Sequence, residues 1–191
     1  MRLVEGTVAV DDVDAFVATI GEIAAETGAT IQAFDARYVV SERHLERAVE
    51  LADRAIERGE NVARDRAVEI LLYAAGRRQI SDALELGVSA GENRVVVLVD
   101  APSGGSSASG DEPEGAGSGD RTEPMDPDTA EAAAADAIRS RVLDSVEPTL
   151  GEYDPERVRE YYDIDGAELA VVDGDLASLV LERVALLVVE K

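Results

Sequence analysis

The stretch that most constrains the fold is residues 64–87, R-D-R-A-V-E-I-L-L-Y-A-A-G-R-R-Q-I-S-D-A-L-E-L-G. Asp65 can cap a helix in which Ala67, Ile70, Leu71 and Ala74 form one stripe, flanked by Val68 and Leu72. Gly76 stands where a left-handed residue ends a helix. A second short helix follows, with Ile80, Ala83 and Leu84 inward and Gly87 after it. So apolar a helix must be buried, and the rest of the chain must supply what covers it.

The turn between these helices carries Arg77 and Arg78. Composition makes that pair conspicuous: 18 basic residues stand against 41 acidic ones, for a net charge of -23. All the basic residues are arginine except Lys191. Such a balance points to a proteome adapted to molar salt, where carboxylates hold hydration although the Debye length is only about 3 Å. At low salt the charge would exclude most nucleic-acid binding. In molar salt that global argument weakens, and local constellations decide.

Along the chain, residues 3–10 read as a strand, with Val4, Val8 and Val10 on one face and Glu5 and Thr7 on the other. Asp11 or Asp12 can cap a helix that Gly28 ends, its stripe being Val13, Phe16, Val17, Ile20, Ala24 and Thr27. Residues 29–40 give a second extended region. Ser41 caps the next helix, with Leu45, Ala48, Val49, Ala52 and Ile56 on one side and Gly59 at its end. Its Arg43, Arg47, Arg54 and Arg58, interleaved with Glu46, Glu50, Asp53 and Glu57, read as a salt-bridged solvated surface. Residues 95–100, V-V-V-L-V-D, read as a central strand buried on both faces.

Residues 101–128 are rich in Gly, Ser, Pro and acids, with Met125 the only sizeable apolar side chain. They read as a disordered acidic insertion within a single domain spanning 1–191. A helix starts at Asp128 or Thr129 and ends by Val146. A short one covers 155–162 behind Asp154-Pro155. The last runs from 175 to at least Leu187, with Leu176, Leu179, Val180, Val184 and Leu187 on one face, and Glu182 and Arg183 as polar islands. The fold class is α/β (α+β): a small mixed or mainly antiparallel sheet covered by helices.

Several chemistries are excluded. Without cysteine there is no disulfide, zinc–thiolate site or cysteine nucleophile. A single histidine, His44, rules out a histidine-based metal site, argues against a catalytic triad, and reads as a cap or packing residue. The glycines of 104–119 show no phosphate-loop pattern. No cofactor is implied. A leader or membrane span is not expected either, so the reading is a cytoplasmic protein. The positive signal is basic. Residues 54–80 hold six arginines (54, 58, 64, 66, 77, 78) against four acids (57, 60, 65, 69), net +2. Arg77 and Arg78 beside a helix start make a phosphate or terminal-nucleotide site. Asn61 and Gln79 can read base edges, and Tyr73 can stack. The competing reading is that the arginines offset a helix dipole.

Three segments carry a family resemblance: A-R-Y-V-V-S-E-R-H-L-E-R-A at 36–48, A-V-E-I-L-L-Y-A-A-G-R-R-Q-I-S-D-A-L-E-L-G-V at 67–88, and L-V-L-E-R-V-A-L-L at 179–187. Together they resemble the kinase-binding subunit of KEOPS, the assembly that makes threonylcarbamoyl-adenosine in tRNA, here in a halophilic archaeal form. The pattern E-I-L-L-Y-A-x-G-x-R-Q-I at 69–80 is the most specific part. The insertion departs from shorter members. The resemblance implies a subunit without catalytic activity that binds the N-terminal lobe of a small atypical kinase. It also implies recruitment of tRNA through its single-stranded 3′ end, with other subunits met indirectly. Kinase contact carries onto Leu179, Glu182, Arg183, Val184 and Leu187. Contact with tRNA carries onto Asn61, Arg64, Tyr73, Arg77, Arg78 and Gln79. Two other classes stand against this reading: a carboxylate-based metal-dependent enzyme, and a structural partner whose acidic insertion does the binding.

Overall fold

The computed structural model describes residues 1–101 and 125–187. Four strands, β1 (Arg2–Val10), β2 (Thr30–Asp35), β3 (Gly91–Asp100) and β4 (Ser145–Val146), form one sheet in the order β2-β3-β1-β4. Every pairing is antiparallel, so the sheet is not mixed. Among the described residues eight α-helices accompany it: α1 (Val13–Thr27), α2 (Glu42–Glu57), α3 (Arg66–Ala75), α4 (Ile80–Ala83), α5 (Pro127–Arg141), α6 (Pro155–Tyr161), α7 (Gly166–Val171) and α8 (Leu176–Leu186).

The β-branched run of β3 explains the layering. Val95, Val97 and Val99 face a core shared with Val4, Val8 and Ile31, closed by Ile20 and Ile23 of α1 and Ala134 and Ile138 of α5. Val96 and Leu98 face the opposite way, with Phe34, into the larger core built by α2, α3, α6 and α8. Alternation along a strand sends successive side chains to opposite faces, so a run apolar at every position needs helices on both sides.

The anticipated caps hold. Asp12 Oδ1 accepts from the Ala15 amide at 2.9 Å, and Ser41 Oγ from the His44 amide at 3.2 Å. Asp65 Oδ1 accepts from the Ala67 and Val68 amides at 2.8 and 3.2 Å. Gly28 and Gly76 take left-handed conformations, φ 74° and 60°.

Elsewhere the structure departs from expectation. The extended region does not run to residue 40. β2 stops at Asp35, whose carboxylate accepts from the Arg37 amide and binds the Arg37 guanidinium, bending Ala36–Tyr38 into a 3-10 turn. The buried face of α2 is His44, Leu45, Ala48, Leu51, Ala52 and Ala55, and Ile56 is exposed. After α3, Ile80 and Leu84 point outward while Ala83 and Leu86 are fully buried. α5 starts at Pro127, capped by Asp126, one residue before the expected start, and ends at Arg141, inside the expected bound. The Asp144 amide donates to the Thr7 carbonyl and its carboxylate accepts from the Ala9 amide, drawing 145–146 into the sheet as β4. α7, closed by an Asp165–Glu168 capping box, has no counterpart in the sequence reading. Most of the expected insertion, 102–124, lies outside the described residues.

Candidate functional site

α3 is ten residues long, about 15 Å of helix, so it separates the six arginines of 54–80 into two groups. Arg54, Arg58 and Arg64 lie at the end where α2 finishes and α3 begins. Arg77 and Arg78 lie at the other end, after Gly76.

The arginines of these groups differ sharply. Arg66 is mostly buried and binds Asp53 through two hydrogen bonds of 2.6 and 2.8 Å, and Asp100 through one of 2.5 Å. It is a structural ion-pair centre joining α2, α3 and the end of β3. Arg77 turns back across α6, donating to the Tyr161 carbonyl and lying 3.3 Å from Asp163. In contrast, Arg54, Arg58, Arg64 and Arg78 are exposed and make no ion pair or side-chain hydrogen bond among the described residues. Interleaved with exposed Glu57, Glu60 and Asp65, the three arginines at the α2–α3 end make a charge-balanced surface on a chain of net charge -23, and Arg78 stands exposed at the other end.

The other expected RNA contacts sort equally unevenly. Gln79 is exposed. Asn61 is half-buried and donates to the Ala63 carbonyl at 2.7 Å, closing the loop between α2 and α3. Tyr73 is 2% exposed and belongs to the core, so its ring is not presented to a base. The phosphate site expected at the second helix start is weak, because α4 has four residues and no side-chain cap. Its dipole is correspondingly small. Arg54 and Arg58 were read as neutralised. A sequence count of four arginines against four acids balances, but in the structure Glu50 is held by Arg43 and Arg47, and Asp53 by Arg66.

The terminal helix α8 also divides by face. Leu179, Val184 and Leu187 are buried in the larger core, with Leu187 at the helix cap. These apolar positions, expected to touch a kinase, pack in the chain's own core. Arg183 is half-buried. Its Nε donates to the Tyr162 carbonyl at 3.2 Å and its Nη2 to Glu168 at 2.7 Å, so it ties the ends of α6 and α7 to α8. That hydrogen bond lowers the Glu168 carboxyl below its usual range. Of the expected set only Glu182 faces solvent. Ser178 and Leu186 are exposed with it, and Leu181 and Ala185 are half-buried.

His44 is fully buried, its Nε2 2.9 Å from the Ala74 carbonyl, which also accepts from the Tyr162 hydroxyl at 2.7 Å. Burial pushes its pKa down to about 4, against a smaller upward pull from that carbonyl, so the ring is a neutral donor linking α2 to α3. A polar cleft of about 750 Å³ lies between Tyr38, Arg77, Glu85, Arg157 and Tyr161. Its two arginines rest over the two tyrosine rings, at 5.1 and 5.7 Å from the centroids. Among the described residues no group of three or more His, Asp or Glu is placed to hold a metal ion. The metal-dependent alternative finds no converging carboxylates among the described residues. Among the described residues no helix is long and apolar enough to cross a membrane.

A family model described as kinase binding protein CGI-121 matches residues 11–187. No curated protein matches the chain.

Proposed function

The chain belongs to the CGI-121 family of kinase-binding proteins, and on that premise we propose that it is the non-catalytic adaptor of a KEOPS assembly. It docks the small kinase on the outer face of α8 and recruits the single-stranded end of tRNA. The family match across 11–187 carries the kinase half. On α8 the contacting residues are Ser178, Leu181, Glu182, Ala185 and Leu186, because Leu179, Val184 and Leu187 are occupied by the core. An exposed leucine flanked by small and half-buried residues is the kind of anchor that fills a partner's pocket.

The tRNA half is supported by the four unpartnered arginines, Arg54, Arg58, Arg64 and Arg78, with Gln79 beside the last. They meet phosphates and base edges in the cytoplasm of a salt-adapted archaeon, where screening suppresses the repulsion of the surrounding acids. The two groups contact successive stretches of RNA on either side of α3.

Both halves are tested on the purified full chain in molar KCl. Leu186→Glu with Glu182→Arg abolishes co-elution with the kinase while thermal unfolding stays unchanged. Arg58→Ala with Arg64→Ala weakens tRNA binding and lowers its salt slope by about 0.7 per lost phosphate contact. Undiminished kinase capture by the first variant sinks the α8 interface. An unchanged salt slope in the second sinks the RNA surface.

A further inference from the structure

The apolar stripe of α1 runs beyond what the core uses. Ile20 and Ile23 pack on the sheet, yet Val17 is 59% exposed and Val13 borders solvent. These residues, with Phe16 and Gly21, form one wall of an apolar groove of about 470 Å³. The opposite wall is the first turn of α3 and Leu84, itself 58% exposed. The floor is β2, from Ala29 to Ala33.

β2 is an edge strand: among the described residues its only strand partner is β3. One side of its backbone therefore lacks a ladder, and that side opens into the groove. The Gln32 side-chain amide donates to the Ala33 carbonyl at 3.0 Å, a local substitute for a missing strand. A bare edge beneath two apolar walls is the arrangement that accepts an extended peptide, with main-chain hydrogen bonds supplying affinity and the walls reading alternate side chains.

Charge indicates which peptide. Asp65 is exposed on the rim, and Asp14 is exposed one turn from Val17. Arg66, the cation among the lining residues, is neutralised by Asp53 and Asp100. The charged residues lining the groove are thus one exposed carboxylate, Asp65, and one engaged cation, Arg66. RNA phosphates find no free cation among these lining residues, and a second copy brings its own Asp65 carboxylate to the same rim, so a basic segment fits better than either. We propose that this groove docks an extended segment of a basic partner protein, apolar at alternate positions, as a fifth strand beside β2. The site is separate from the outer face of α8 and does not depend on the kinase or tRNA readings.

The test uses the full chain in molar KCl. The probe is a set of nine-residue peptides with valine, leucine or phenylalanine at alternate positions and arginine or lysine between them. Amide hydrogen exchange then reports the β2 amides that face away from β3. Members of the set protect those amides. Methylating alternate backbone nitrogens of a bound peptide, which removes its strand donors, abolishes protection. Val17→Glu and Leu84→Glu, both at exposed positions, each weaken binding by about tenfold or more. Absence of protection by every member would overturn the proposal. So would equal binding of the methylated peptide, or unchanged affinity in both variants. Protection of the same amides by tRNA would assign the groove to RNA. A concentration-dependent dimer in sedimentation, lost in Leu84→Glu, would assign it to a second copy.

Discussion

The guanidinium of Arg77 lies over the ring of Tyr161, its central carbon 5.1 Å from the ring centroid, and donates to the same residue's carbonyl oxygen. The backbone prepares this placement. Gly76 is left-handed, and the Arg77 amide donates back to the Leu72 carbonyl at 3.1 Å, closing α3. Arg77 is thereby directed across the end of α6, while Arg78, one residue on, points to solvent. The pair that looks uniform in sequence is one clamp and one free cation.

Arg77→Ala is therefore expected to lower stability by about 1–2 kcal/mol, through a lost charge-assisted hydrogen bond and a lost cation–ring contact. Arg78→Ala should change it by less than about 0.5 kcal/mol. On the proposed function the order reverses for RNA, with Arg78→Ala weakening tRNA binding more. Urea unfolding at fixed molar KCl, alongside tRNA titration, reads both.

Two glycines give opposite predictions. A Cβ on Gly6 would stand 2.1 Å from the Ser145 carbonyl oxygen and 2.9 Å from Leu143 Cδ1. The first of these is backbone, so Gly6→Ala must push β4 off β1. A loss of about 3 kcal/mol is expected, at the upper end for overpacking. A Cβ on Gly21, within α1, meets nothing within 4 Å. Gly21→Ala should raise stability by up to about 1 kcal/mol by restricting the unfolded chain and favouring helix. Paired thermal unfolding curves check both signs.

What could be read in sequence was whatever short-range chemistry decides. Asp12, Ser41 and Asp65 cap because the acceptor and its amide lie two or three residues apart. β3 declares itself because Val95 to Val99 leave no polar face. The engaged arginines were hidden because their partners are far along the chain: Asp100 is 34 residues from Arg66, and Asp163 is 86 from Arg77. The outward face of α8 was hidden for a related reason. Helical periodicity identifies the stripe of Leu179 and Val184, yet says nothing of whether it meets its own core or another protein. β4 has two residues and no period to detect, its position being set by Asp144 against β1.

Arg64 and Arg66 supply a direct comparison. Arg66→Ala removes the cation between Asp53 and Asp100, the second of these side chains only 11% exposed. Asp100 keeps the Met1 ammonium at 3.2 Å, so the loss of the Arg66 hydrogen bonds is expected to cost about 2 kcal/mol. Arg64→Ala touches no partner among the described residues and should be neutral for stability, within about 0.5 kcal/mol. Unfolding midpoints in urea at constant salt decide it. Comparable losses for the two would mean that Arg64 is engaged after all.

The net charge of -23 makes a prediction of its own. Raising KCl from 0.1 to 2 M contracts the screening length from about 10 Å to under about 3 Å and relieves self-repulsion. The midpoint of thermal unfolding should rise across that range. A midpoint that stays level or falls would remove the salt-adapted reading.

His44 gives a pH dependence whose sign follows from its site. Its folded pKa, about 4, lies below its ordinary value of 6.5 because the ring is fully buried. The unfolded chain therefore binds more protons than the folded chain between these values, and stability must fall as pH drops through that window. The stabilising contribution is complete above about pH 6.5 and is lost by about pH 4, amounting to about 3 kcal/mol. Protonation would place a second charge-bearing donor, Nδ1, in the core, where it has no hydrogen-bond partner. His44→Phe keeps an aromatic ring there, and the Tyr162 hydroxyl still satisfies the Ala74 carbonyl. Urea unfolding measured from pH 7 to pH 4 should show a shallower slope for this variant than for the wild type. Equal slopes would mean that carboxylate titration, not His44, governs acid unfolding.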